Sequence, residues 1–280
     1  MKIAIVGHGF VGAAVDYGFT HPNVEKIIVD PKYDGSNLKH HYNSIEDLKN
    51  VYDIDAIFIC VPTPMKNNGK VDSSVVADIV KKVLRHQITG MIIIKSTITP
   101  DIAKTITKHP WIIYNPEFLM ERTSKSDFVN PPMHVFGGDP KFGGLVKNLY
   151  DNYSMCKPCP VFYMSASEAS FVKYGINTYL ATKVLWFNQF YDVVTKRGSN
   201  FNKVINAMTA DSRIGESHTT VPGFDDKRGY GGACFPKDTQ ALYNYDKSFS
   251  LLGKVIEDNN EYRKDYDLDD REVSQNVSFQ

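Results

Sequence analysis

"KIAIVGHGFVG" (residues 2–12) decides the fold. A short apolar run ends in glycine, and Gly7, Gly9 and Gly12 then stand in G-x-G-x-x-G spacing. Alone the pattern is weak. Here it follows a strand-like run directly and opens a helical stretch, "FVGAAVDYGF" (10–19). In that setting Gly7 permits a tight turn, Gly9 lets a pyrophosphate approach the backbone, and Gly12 lets helix and strand pack closely. The unpaired N–H groups that open the helix, around Phe10 and Val11, then face the phosphates. Asp30 closes the second apolar run, 18 residues after Gly12. A carboxylate there accepts both ribose hydroxyls of NAD and repels the extra phosphate of NADP. The alternative, a glycine turn without a ligand, does not account for the acid. A dinucleotide site, for NAD rather than NADP, is the expectation.

Outward from this loop, strand-like runs alternate with stretches of helical period. "VEKIIVD" (24–30), "DAIFICVP" (55–62), "MIIIKST" (91–97), "WIIYNPE" (111–117) and "MHVFGGD" (133–139) read as strands, and "DSSVVADIVKKVLRHQ" (72–87) as a helix. Alternation of this kind predicts an α/β fold, a Rossmann-like doubly wound parallel sheet. It is expected to end near residue 164, giving an NAD-binding domain over 1–164. From Ser167 to Lys196 there is no proline and only one glycine, Gly175, and apolar residues fall on most faces. That predicts one long, largely buried helix, followed by shorter ones, in an all-helical domain over 165–264. The polar end, 265–280, is expected to fray.

Bulk properties narrow the classes. With 32 basic and 32 acidic residues among 280, the chain lacks the basic excess of a nucleic-acid binder. No apolar run approaches the ~20 residues that span a bilayer, and the N-terminus does not read as a signal peptide. Four cysteines, Cys60, Cys156, Cys159 and Cys234, are too few for a disulfide scaffold. "CKPC" (156–159) has C-x-x-C spacing but no second pair or nearby histidine. No metal site is expected, and a reducing cytoplasm is the simplest setting.

"GYGGACFPKD" (229–238) does not look structural. Glycines crowd up to Cys234, which could be an apolar filler, a metal ligand or a nucleophile. Beside a dinucleotide site, a nucleophilic cysteine suggests oxidation through a sulfur adduct. A thiolate adds to an aldehyde to give a thiohemiacetal, hydride loss gives a thioester, and water releases an acid. Such chemistry needs donors for the developing oxyanion and a base for water.

Seven motifs, "GHGFVG" (7–12), "IFICVPTP" (57–64), "KSTITP" (95–100), "NPEFLMER" (115–122), "SEASFVKYGINTYLATK" (167–183), "DSRIG" (211–215) and "GYGGACFPKD", stand in the order found in the UDP-glucose/GDP-mannose 6-dehydrogenase family, which the chain resembles over roughly residues 1 to 260. The resemblance implies two successive NAD-dependent oxidations at C6 of a nucleotide sugar, UDP-glucose first among the candidates. It makes Cys234 the nucleophile and Lys173 and Asn177, four apart on one helix face, the holders of the reacting oxygen. Asp238 becomes an acid near the thiol, Glu121 the acid of thioester hydrolysis, and Thr97 the residue that positions water. Thr63 and Pro64 fall in the cofactor-side loop. Glu117, Phe118, Leu119, Arg213, Tyr230 and Gly231 join Lys173 and Asn177 as expected substrate contacts. The family is homodimeric, so a homodimer is expected. Family members usually continue into a third α/β domain; none is expected within these 280 residues, and another chain is expected as a possible source of it. Met120 and Met133 stand where the family often has arginine. Two alternatives stay open: a truncated, non-turnover NAD-binding or regulatory protein, and a two-electron 3-hydroxyacid-type dehydrogenase, which would have no use for the cysteine.

Overall fold

The computed structural model describes residues 1–33 and 40–279. Its elements follow the apolar runs closely: β1 (Lys2–Val6), α1 (Phe10–Gly18), β2 (Glu25–Val29), β3 (His41–Tyr42), β4 (Ala56–Ile59), α2 (Ser74–Arg85), β5 (Met91–Ile94), α3 (Pro100–Ile106), β6 (Ile112–Tyr114), α4 (Ser124–Val129), β7 (His134–Gly137), α5 (Pro140–Tyr153) and β8 (Val161–Met164). The eight strands form one sheet in the order β3-β2-β1-β4-β5-β6-β7-β8. All neighbours pair in parallel except β6 and β7, which run antiparallel through Tyr114 and Gly137. The sheet is therefore mostly rather than wholly parallel. The apolar runs predict six of its strands; β3 and β8 add to them at the two edges.

Alternate strand residues point to opposite faces. Ala4, Val6, Ile57, Ile59, Ile92 and Ile94 enter one core layer, while Ile3, Ile5, Phe58 and Ile93 enter the other. Both faces are covered, which is why these strands read as continuous apolar runs instead of alternating ones. Each of the valine, isoleucine and phenylalanine side chains among them contributes about 1.5–3 kcal/mol by leaving water. β1 has β2 on one side and β4 on the other. The chain thus reverses its direction of travel across the sheet at β1, and the loops after β1 and β4 open at the switch point where ligands bind in such sheets.

The chain forms two compact units. One holds Met1–Thr63 and Asp72–Lys173; the other holds Pro64–Val71 and Tyr174–Gln280. The division falls inside the long helix α6 (Ala166–Lys196), beyond the boundary near 164 that the change of pattern suggests. The first turns of α6 belong with the sheet because Ala166 and Ala169 enter its core and the Ser170 hydroxyl donates to Ile98 O at 2.7 Å. The second unit holds the rest of α6 together with α7 (Phe201–Thr209), α8 (Phe235–Tyr245), α9 (Ser250–Arg263) and α10 (Asp270–Ser274). Tyr174, Ala181 and Leu185 of α6 share a core with Ala241 and Leu242 of α8 and Leu252, Val255 and Ile256 of α9.

Within the polar end, residues 270–274 form a helix. Asp269 and Glu272 form a reciprocal capping box that starts α10, and Glu272 is fully buried. Most of the polar residues of this end stay exposed, but Glu272 is paired in the interior, which composition alone does not reveal.

Candidate active site

The glycine loop has the geometry its spacing predicts. Gly7 takes φ +88°, and a Cβ there would meet Cys60 O at 2.8 Å. A Cβ at Gly12 would stand 2.0 Å from Gly7 O, so the helix approaches the loop as closely as backbone allows. Gly9, the N-cap of α1, differs: nothing lies within 4 Å of its Cβ position. The protein itself does not require glycine there, so the open space is left for something that approaches from outside. Phe10 and Val11 begin α1, whose first N–H groups have no intrahelical partner. The Asp30 carboxylate is carried to the loop, where Oδ2 accepts from His8 N at 2.7 Å and Oδ1 from Lys32 N at 2.8 Å. A carboxylate has about four acceptor positions, so two hydroxyls can still be received. Bare backbone, a helix N-terminus and an acid on one loop fit a dinucleotide.

Beside it, the loops after β4 and β5 are tied together. Ser96 Oγ donates to Val61 O at 2.7 Å, next to buried Thr63 on one strand end and partly buried Thr97 on the other, while half-buried Pro64 falls with the second unit. Below them lies a polar group of which the sequence reading singled out only Glu117. Lys95 is 4% exposed, donates to Asn115 Oδ1 at 2.9 Å, and places its ammonium 2.7 Å from Glu117 Oε2. The contact between Lys95 and Glu117 is an ion pair. Tyr150 OH also donates to Asn115 Oδ1 at 2.8 Å. His134 packs on the Tyr150 ring with centroids 4.5 Å apart. Burial, then the charge of Lys95, holds its pKa down at about 4. Lysine is common enough on surfaces that only its burial just past the end of β5 could have marked Lys95.

Lys173, buried on α6, donates to Glu117 O at 2.5 Å and lies 5.7 Å from the Phe118 ring centroid. Glu117, Phe118 and Leu119 thus form a partly buried segment bracketed by two lysines. Glu121 stands on an exposed 3-10 turn (Glu121–Thr123).

In the second unit, Cys234 is the N-cap of α8, and Lys237 and Asp238 occupy that helix's first turn. Asp238 is 1% exposed, with one carboxylate oxygen paired to Lys237 and the other accepting from Asn177 Nδ2 at 2.6 Å. The helix N-terminus is the end that stabilises a thiolate. The other cysteines lack such a setting. Burial pushes Cys60 up to about 12 and Cys156 up to about 11, and it raises Cys159 as well. All four are free. Tyr230 is buried, with its hydroxyl at 3.5 Å from Thr239 Oγ1. Gly231 lies against Arg263, where a Cβ would stand 1.9 Å from the guanidinium. Arg213 is placed differently, with its side chain 87% exposed and held by Asp211.

Each unit therefore gathers its own set: the glycine loop, Asp30, Thr63, Thr97, Glu117 and Lys173 in the first, and Asn177, Tyr230, Gly231, Cys234 and Asp238 in the second. Lys173 and Asn177 stand one turn apart on α6, but the first reaches Glu117 and the second Asp238. Among the described residues, no group of three or more His, Cys, Asp or Glu could hold a metal ion, and no helix is long and apolar enough to cross a membrane.

The chain matches the description "UDP-glucose/GDP-mannose dehydrogenase family, NAD binding domain" over residues 33–154, and that family's central domain over residues 167–262. It is 30% identical to a UDP-glucose 6-dehydrogenase of Campylobacter jejuni, across 95% of this chain and 73% of that protein. The solved structure of a UDP-glucose dehydrogenase from Pyrobaculum islandicum matches with a TM-score of 0.76 at 25% identity, covering 93% of this chain and 68% of that one. A Mycobacterium tuberculosis 3-hydroxyisobutyrate dehydrogenase shares the fold, with a TM-score of 0.73 at 17% identity and 96% of both chains covered. This chain spans only part of the two nucleotide-sugar enzymes' length. With that family's NAD binding and central domains matched in order, the second across the cysteine loop, and with the Campylobacter enzyme 30% identical over most of both chains, it belongs to the UDP-glucose/GDP-mannose dehydrogenase family.

Proposed function

We propose that the chain oxidises a nucleotide sugar, UDP-glucose being the expected one, at C6 to the uronic acid in two NAD-dependent steps through an adduct on Cys234. The observation that carries this reading is the placing of Cys234 at the N-terminus of α8, with Asp238 held one turn on. A thiol at a helix N-terminus is predisposed to ionise, whereas burial keeps Cys60 and Cys156 protonated.

NAD, when bound, supplies the hydride acceptor. The remaining work belongs to the chain. Gly9 and the start of α1 receive the pyrophosphate, and Asp30 the ribose hydroxyls. Removal of a hydride and the hydroxyl proton from C6 in the first oxidation leaves an aldehyde, and the Cys234 thiolate adds to its carbon, forming the C–S bond and placing negative charge on oxygen. Lys173 and Asn177 stabilise that charge. An ammonium has three donors and a carboxamide two, so each keeps at least one beyond its bond to Glu117 O or Asp238. After the second oxidation, water attacks the thioester and the C–S bond breaks, returning the thiol. Thr97, Asp238 and Glu121 are the groups we assign to that water.

Self-association is part of the proposal. Tyr179, Trp186 and Val193 recur every seven residues on α6 and are 65%, 49% and 60% exposed. Such a stripe suits a second copy of the same helix.

The deciding experiment counts NADH formed per sugar consumed with UDP- and GDP-sugars. Two per sugar supports the proposal. One supports the two-electron reading, and none on any substrate supports a non-turnover NAD-binding protein.

A further inference from the structure

The backbone that leads into Cys234 is held at four successive residues by side chains of the same unit. Asn188 Oδ1 accepts from Gly229 N at 3.0 Å. Asn259 grips Tyr230 twice, accepting from its N at 2.7 Å and donating to its O at 3.0 Å. Gly231 lies flat against the Arg263 guanidinium. Glu272 Oε1 accepts from Gly232 N at 2.9 Å and from Arg263 Nη2 at 2.9 Å. Asp225 Oδ2 accepts from Arg263 Nη1 at 2.7 Å. The grip comes from α6, α9 and α10, and its last member sits in the polar end of the chain. That end is itself anchored: Gln275 O accepts from Met65 N at 2.9 Å, and Asn276 Nδ2 donates to Met65 O at 3.1 Å.

This arrangement is a poor device for stability. Arg263 is 1% exposed and Glu272 is 0% exposed. Desolvating such a pair offsets most of its attraction, and apolar replacements are often as stable. Arg263 Nε has no partner among the described residues. What the pair supplies is direction: an acceptor aimed at one backbone N–H, and a flat wall that only a glycine can touch.

We propose that Glu272 and Arg263 are positioning residues that fix the backbone of Gly231 and Gly232 and thereby aim the Cys234 thiol. The proposal rests on the reading of Cys234 as nucleophile. Glu272→Ala removes the acceptor, and Glu272→Gln keeps a carbonyl oxygen in its place. In Glu272→Ala, hydrogen exchange of the 231–234 amides should quicken and kcat should fall roughly 10- to 100-fold, with KM for NAD held within about twofold, because misplacement of a reacting group by about 1 Å has effects of that size. Glu272→Gln should recover most of kcat. Should Glu272→Ala not fold, Gly231→Ala, whose Cβ collides with Arg263, should show the same split between kcat and KM. Unchanged loop exchange overturns the clamp. Faster exchange with unchanged kcat overturns its part in aiming the thiol, and a Gln variant as slow as the Ala variant overturns the acceptor role. A wild-type protein that oxidises no nucleotide sugar sinks the catalytic reading, while the exchange measurement still decides the clamp.

Discussion

Asn177 Nδ2 donates to Asp238 Oδ2 at 2.6 Å, so α6 and α8 meet at a buried carboxylate whose other oxygen is paired with Lys237. Removing the charge of Asp238 strands a lysine that is 5% exposed. Asp238→Asn should therefore lower unfolding free energy by about 3–5 kcal/mol, measured in urea, and abolish turnover. Lys237→Met added to Asp238→Asn should restore part of the stability and none of the activity. Full stability in the single variant would refute the coupling.

Cys234→Ser should end acid production while leaving NAD affinity unchanged by calorimetry. Alkylation tests the same assignment without substrate. At pH 8, Cys60 with a pKa of about 12 is ionised to roughly one part in ten thousand. Iodoacetamide should label Cys234 first by mass spectrometry, and labelling of Cys60 or Cys156 ahead of it would count against a reactive Cys234.

Two substitutions separate the cofactor loop's packing from its chemistry. Gly12→Ala drives a methyl to 2.0 Å from Gly7 O. It should destabilise the first unit by about 1–3 kcal/mol and eliminate NAD binding. Asp30→Ala loses about 1.5–3 kcal/mol of charged hydrogen bonding, roughly ten- to a hundredfold in NAD affinity, and should narrow the preference over NADP. Unchanged NAD affinity would remove Asp30 from the ribose.

His134 gives a pH dependence with a definite sign. Its folded pKa is held at about 4 against an ordinary value of 6.5, so between those limits the unfolded chain binds the proton and the folded one does not. Its contribution to stability is complete above pH 6.5 and is lost as pH falls toward 4, up to about 3 kcal/mol. His134→Phe should flatten that part of the profile in denaturant titrations at pH 4 to 7.

The glycine loop, six of the strands, the long helix and the cysteine loop were legible because each is written in contiguous residues. Backbone freedom at Gly7 and apolar runs such as Ile92–Ile94 are local properties, and so is the turn-to-helix order around Cys234. Lys95 was not legible: in sequence it is one lysine after an apolar run, and only β6 and α5 bring Asn115, Glu117 and Tyr150 to it. The same holds for β3 and β8, which are strands because a sheet edge offers them partners.

The polar end makes the division clearest. By itself the sequence determined a dinucleotide-binding sheet and a glycine-framed cysteine, since turn chemistry and hydrophobic period act within a few residues. Only the tertiary structure decided that Glu272 leaves water to meet Arg263 and Gly232. A buried charge is tolerated only where its partner already waits, and that partner is supplied by the folded chain around it.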